Sequence, residues 1–176
     1  MNRLSLAAAA ILFVSAPAMA EDRLTVDTIQ TFLNDTTALT HQDSALTDAD
    51  VTAYLDLHLS NNGTYASSVL YEVPGNPATP KDFTLNKQQF IDNVVSGRKQ
   101  MKNYESSVKL YTHTIAGDGK SADIETITNE RGEMPINPEE TMPFEGTTVC
   151  KQALKMEGQT IVLTRADCEA RIGFIE

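Results

Sequence analysis

The stretch Thr147–Cys168, TTVCKQALKMEGQTIVLTRADC, reads as two alternating strands folded about Glu157-Gly158, and it holds both cysteines of the chain. A Glu-Gly pair between two such arms is the pattern of an antiparallel hairpin. With a two-residue loop at Glu157-Gly158, Met156 faces Gln159 and Cys150 faces Arg165. Cys150 and Cys168 then stand three residues out of register, on opposite faces, because side chains alternate with period two. Joining them requires a bulge, or an end to the strand near Ala166-Asp167. We expect both the disulfide and the irregularity.

The expectation of a disulfide comes from the other end of the chain. Residues 1–20, MNRLSLAAAAILFVSAPAMA, place one positive charge, Arg3, before an apolar run from Leu4 to Val14. Small residues then lead to Ala18-Met19-Ala20, the A-x-A pattern of a signal-peptide cleavage site. The run is shorter than the roughly 20 residues that span a bilayer, so no membrane anchor is expected and the mature chain starts at Glu21. This places the protein in the periplasm or outside the cell, where paired thiols oxidise. Seventeen residues, 151–167, lie between the cysteines, and a bridge over such a loop is worth about 3 kcal/mol. Structural zinc needs about four ligands at short spacings, and no second cysteine pair exists, so no metal is expected.

Residues 21–176 suit a single domain with one core. The formal charge of −10 excludes nucleic acid and anionic lipid as partners, since both need clustered Lys and Arg. Working outward from the hairpin, Phe144–Met156 and Gln159–Ile172 form its strands. Tyr104–Ala116 and Ser121–Arg131 form a second hairpin about Gly117-Asp118-Gly119. The proline-rich stretch Met134–Pro143 reads as a long loop between the two. Upstream, Ile29, Phe32 and Leu33 recur at helical spacing between Thr25 and Leu39. Thr47 and Asp50 cap a second helix carrying Val51, Tyr54 and Leu55. Asn62-Gly63 reads as a turn opening a strand, Thr64–Val73, and Asn86 with Gln89 forms a capping box for a third helix with Phe90, Val94, Val95 and Met101.

Helix, helix, strand, helix and four antiparallel strands resemble the nuclear transport factor 2-like superfamily, which includes ketosteroid-isomerase-like and SnoaL-like proteins. The likeness covers nearly the whole mature chain and rests on element order. It implies an α+β fold in which a curved antiparallel sheet wraps around helices as a cone with a pocket at its open end. It also implies a short strand within Lys81–Leu85 and homodimer formation through the outer sheet face. Its members range from isomerases and dehydratases to adaptors, so fold alone selects no activity.

No catalytic, metal-binding or phosphate-binding motif is present, and no cofactor is expected. Candidates come from residue chemistry. His113 lies mid-strand in Y-T-H-T-I, where alternation groups it with Lys109, Tyr111 and Ile115; Val108, Leu110, Thr112 and Thr114 form the other face. Which face is concave stays open. Histidine moves protons near neutral pH, and a buried carboxylate with a shifted pKa does so too. Asp56 and His113 are therefore the catalytic candidates, and Tyr65, Tyr111 and His113 the ligand-binding ones. His41 reads as a solvated loop residue, and His58 as a cation at a helix C-terminus. The favoured expectation is a non-catalytic domain that binds a small molecule or another envelope protein. The alternative is an isomerase, dehydratase or hydrolase using an acid–base pair in the cone.

Overall fold

The computed structural model describes residues 22–41, 45–135, 137 and 140–175. The expected signal peptide, residues 1–20, and its expected cleavage point lie outside these residues. Three helices, α1 (Val26–Ala38), α2 (Asp48–His58) and α3 (Lys87–Gln100), are interleaved with six strands. These are β1 (Leu59–Glu72), β2 (Thr79–Leu85), β3 (Lys102–Ile115), β4 (Ser121–Pro135), β5 (Thr141–Glu157) and β6 (Thr160–Phe174). Local chemistry starts each helix. Thr47 accepts from the Asp50 amide while the Asp50 carboxylate accepts from the Thr47 amide, and Asn86 and Gln89 exchange the same pair of bonds. α1 has the equivalent box from Thr25 and Thr28.

The strands form one open sheet in the order β2-β1-β6-β5-β4-β3. Four neighbouring pairs are antiparallel as expected, but β1 runs parallel to β6. That pairing joins the first strand to the last across the rest of the chain, so adjacency in sequence carries no sign of it. The helices cover one face. Ile29, Phe32, Leu33, Val51 and Leu55 pack there against Tyr65, Ile124, Leu154, Leu163 and Ala166 in one buried cluster. In α3 the fully buried residue is Ile91, with Phe90, Val94 and Val95 half-buried around it. Among the described residues no helix is long and apolar enough to cross a membrane.

Cys150 and Cys168 are bonded and directly opposed. Two departures from a simple hairpin bring them together. The turn falls on Gly158-Gln159, so Glu157 pairs with Thr160; Gly158 supplies the φ of +64° needed at the first turn position. Moving the turn by one residue shifts the register by two. The third step is a bulge: Leu154 pairs with Leu163 and Ala153 with Arg165, leaving Thr164 as the extra residue. The Thr164 hydroxyl donates to the Ala153 carbonyl at 3.1 Å.

Two further expectations change. Asn62-Gly63 lies inside β1, which begins at Leu59, and the register against β6 shifts between Leu59 and Thr64. The glycine serves close approach: a Cβ at position 63 would stand 2.2 Å from the Tyr65 hydroxyl. The long loop 134–143 also shrinks, because Met134 pairs with Met142 and Pro135 with Thr141.

Candidate functional site

The helix-covered face of the sheet is built from rows of residues that cross the strands. One row runs Tyr71, Ile172, Gly146, Glu130, Ser106; the next runs Val69, Ala170, Thr148, Thr128, Val108. Side chains opposed across strands share a face, so both rows lie on the helix-covered face, with α3 packed at their β1 end. Above them lies a cavity of about 420 Å³. Its walls are Phe83 and Leu85 from β2, Phe90 and Val94 from α3, and Tyr71 and Tyr104 from the sheet. Ser67, Thr40 and Asn93 add neutral polar groups. Arg98 also reaches the wall, where Nη2 donates to the Leu46 carbonyl at 3.0 Å and Nη1 lies 3.7 Å from Asp48.

The cavity-lining Tyr104 is bonded into a polar cluster anchored on β4. The Tyr104 hydroxyl donates to Glu130 Oε2 at 2.9 Å, and the Thr148 hydroxyl donates to Glu130 Oε1 at 3.0 Å. Burial, then the charge of Glu130 and the bond to it, push the Tyr104 phenol far above its ordinary value. Burial, then the same carboxylate, raise Tyr71. Both phenols are therefore protonated at neutral pH, and neither acts as a base there. Room for the carboxylate comes from Gly146, where a Cβ would meet Glu130 Cγ at 2.9 Å. His41 closes the β3 side, with Nε2 3.0 Å from the Ser106 carbonyl. It is a docked residue, in contrast to the solvated one expected.

The candidates named from sequence do not converge. Asp56 is on the outer side of α2, 70 % exposed and 2.7 Å from Lys87 Nζ. Tyr65 is 2 % exposed, packs against the tilted ring of Phe90, and donates its hydroxyl to the Ser60 and Leu163 carbonyls. It is a core residue with its polar atom satisfied. Tyr111 is 61 % exposed and is the extra residue of a bulge, since Leu110 pairs with Thr126 and Thr112 with Glu125. This bulge reverses the alternation expected for β3. Lys109 faces away from the helices, whereas His113 opposes the core residue Ile124 and so shares its face. His113 stays exposed because β3 is an edge strand. His58 has the structural place expected of it: Nδ1 donates to the Ile161 carbonyl at 2.7 Å and the ring stacks on Tyr54.

Sequence reasoning passed over Tyr104, which lines the cavity, and Glu130 and Thr148, which join it in the polar cluster; Glu130 also borders the first of the troughs described below. All three have the parity of Thr126 and Thr128 along paired strands, so the alternation of β4 was the one available signal. Among the described residues no group of His, Cys, Asp and Glu is arranged to hold a metal ion. The opposite face of the sheet is polar and carries two open troughs of about 600 and 650 Å³. Ion pairs Arg131–Glu105 and Arg171–Glu72 border the first.

No protein-family model matches the sequence, and no curated protein matches it. Solved structures do match in shape. A provisionally assigned scytalone dehydratase from Novosphingobium aromaticivorans superposes with a TM-score of 0.56 at 7% identity, over 82% of each chain. A conserved protein from Planctomyces limnophilus superposes with a TM-score of 0.51 at 12% identity, over 85% of this chain and 98% of its own. An NTF2-like protein with a cystatin-like fold, from Novosphingobium aromaticivorans, gives 0.47 at 11% identity over 81% and 79%. On its element order, its six-stranded sheet and the first two superpositions, this chain has the nuclear transport factor 2-like fold.

Proposed function

We propose that the chain is an exported, non-catalytic domain that binds a small, mainly apolar molecule in the cone between α3 and the sheet. The carrying observation is the cavity wall: aromatic and aliphatic side chains with a few neutral polar groups, two protonated phenols, and Arg98 held by Leu46 and Asp48. Such a lining recognises shape and hydrogen-bonding pattern. Export is supported by the leader composition and is compatible with the Cys150–Cys168 bridge. An envelope protein or a second copy of the chain is the partner proposed for the outer sheet face.

A second reading, proton transfer on a bound substrate, is favoured by one feature. Glu130 stands 2.9 Å from a cavity-lining phenol, a pairing that can pass a proton. A neighbour in shape also carries an enzyme's name. The two readings separate in one experiment. Titration with neutral aromatic alcohols, followed by NMR, should shift amides of Tyr71, Phe90 and Val94, and Val94→Trp should abolish the shifts. The proposal fails if no probe binds there. Turnover of a carbonyl or hydroxyl compound that falls about 100-fold in Glu130→Gln would establish the second reading.

A further inference from the structure

Arg98 is a charged residue in a wall that is otherwise neutral. Phe90, Val94, Arg98 and Met101 recur at helical spacing along one side of α3, and all four line the cavity. Three of them are apolar. Cations near the end of a helix suit its carbonyls, and Lys99, 63 % exposed, takes that place in solvent. Arg98 is turned inward, with its side chain 10 % exposed. The Leu46 carbonyl fixes its guanidinium, and Asp48 lies 3.7 Å from Nη1. Asp48 also stands 2.6 Å from Lys99 Nζ, so two cations share one carboxylate. Among the described residues of the wall, Arg98 carries the one formal charge, and no Asp or Glu belongs to it. Tyr71 lines the same wall as a protonated phenol, a hydrogen-bond donor. The lining therefore offers a cation and donors, which select for an acceptor with negative charge.

We propose that the cavity takes a small apolar acid, its carboxylate held at Arg98 and its hydrocarbon body against Leu85, Phe90 and Val94. This deepens the reading of the cone as a ligand site and rests on it. A guanidinium matches a carboxylate in shape, and bonds between the two are charge-assisted, roughly twice as strong as neutral ones. The side chain is already anchored at Leu46, so little of its freedom is left to lose on binding. A volume of about 420 Å³ lies toward the lower end of ligand pockets and suits a small molecule. Two negative features act from further away. Glu130 stands outside the wall and accepts from Tyr104 and Thr148. The formal charge of −10 repels anions at long range, but in about 0.15 M salt exposed charges beyond about 8 Å are largely screened, whereas Arg98 acts in contact.

The test uses the oxidised mature protein and three probes of similar shape: 4-phenylbutanoate, 4-phenylbutanamide and 4-phenylbutylammonium. Calorimetry at neutral pH and about 0.15 M salt should rank the carboxylate above the amide by about tenfold or more, with the ammonium weakest. In the wild-type protein the carboxylate, and not the amide, should shift the Arg98 Nε–H resonance by NMR, a readout that needs no variant to fold. Both should shift the amides of Phe90 and Val94. Arg98→Gln should remove the preference, so that carboxylate and amide bind alike. A preference that survives in this variant would overturn the role of Arg98. Equal affinity for carboxylate and amide in the wild-type protein, or tightest binding of the ammonium, would overturn the acid assignment while leaving the apolar pocket in place. Failure of all three probes to shift the Phe90 and Val94 amides would overturn both.

Discussion

Removing the Cys150–Cys168 bridge tests how this domain is held together. The cysteines are 18 apart in sequence and lie on β5 and β6, inside the sheet. The two strands pair from Phe144↔Phe174 to Glu157↔Thr160, so the register survives in the folded state without the bond. Its contribution therefore lies in the unfolded chain, where opening a loop of this size restores about 3 kcal/mol of conformational freedom. For a domain near 150 residues that corresponds to a fall of about 6–12 °C in melting temperature. Cys150 is 8 % exposed, so a serine there would add the cost of an unmatched hydroxyl. The Cys150→Ala/Cys168→Ala pair is the cleaner perturbation. Urea denaturation of the oxidised protein, the reduced protein and this variant should give two lower midpoints that agree with each other. The oxidised protein should also show the smaller m-value, since its unfolded state is more compact. Coincident midpoints for oxidised and reduced protein would refute the reasoning, as would two titratable thiols in freshly exported protein.

Gly63→Ala should destabilise by about 1–3 kcal/mol, because the new Cβ would lie 2.2 Å from the Tyr65 hydroxyl and displace it from the Ser60 and Leu163 carbonyls; a change below about 0.5 kcal/mol in denaturant melts would contradict this. Tyr104 has a folded pKa raised above its ordinary 10.0 by burial and by Glu130. Its contribution is fully present below pH 10 and is lost as pH rises from there towards the folded value, since only the unfolded state ionises readily. Melts from pH 9 to 11 should show that alkaline loss diminished in Tyr104→Phe, and identical slopes would exclude the assignment. Mass spectrometry of the exported protein should find Glu21 as the N-terminal residue, whereas retention of Met1 in the cytoplasm would remove the basis for export.

What could be read from the sequence was local. Thr47 with Asp50, and Asn86 with Gln89, announce helix starts because a capping box closes within four residues. The spacing of Ile29, Phe32 and Leu33 marks the buried stripe of α1, and strand composition marks four of the strands closely. Element order was then enough to name the fold. Tertiary structure decided everything that depends on phase. A turn displaced to Gly158-Gln159 and an extra residue at Thr164 bring the cysteines together; an extra residue at Tyr111 turns His113 to the helix side. Each bulge inverts the alternation beyond it, and bulges follow from distant packing that no short window records. The site shows the same limit. Tyr71 and Tyr104 lie on β1 and β3, and only the strand order, with β1 parallel to β6, places both phenols at one cavity and Glu130 of β4 within hydrogen-bond reach of Tyr104. A carboxylate becomes a site through the neighbours that bury it, and those neighbours are chosen by the sheet.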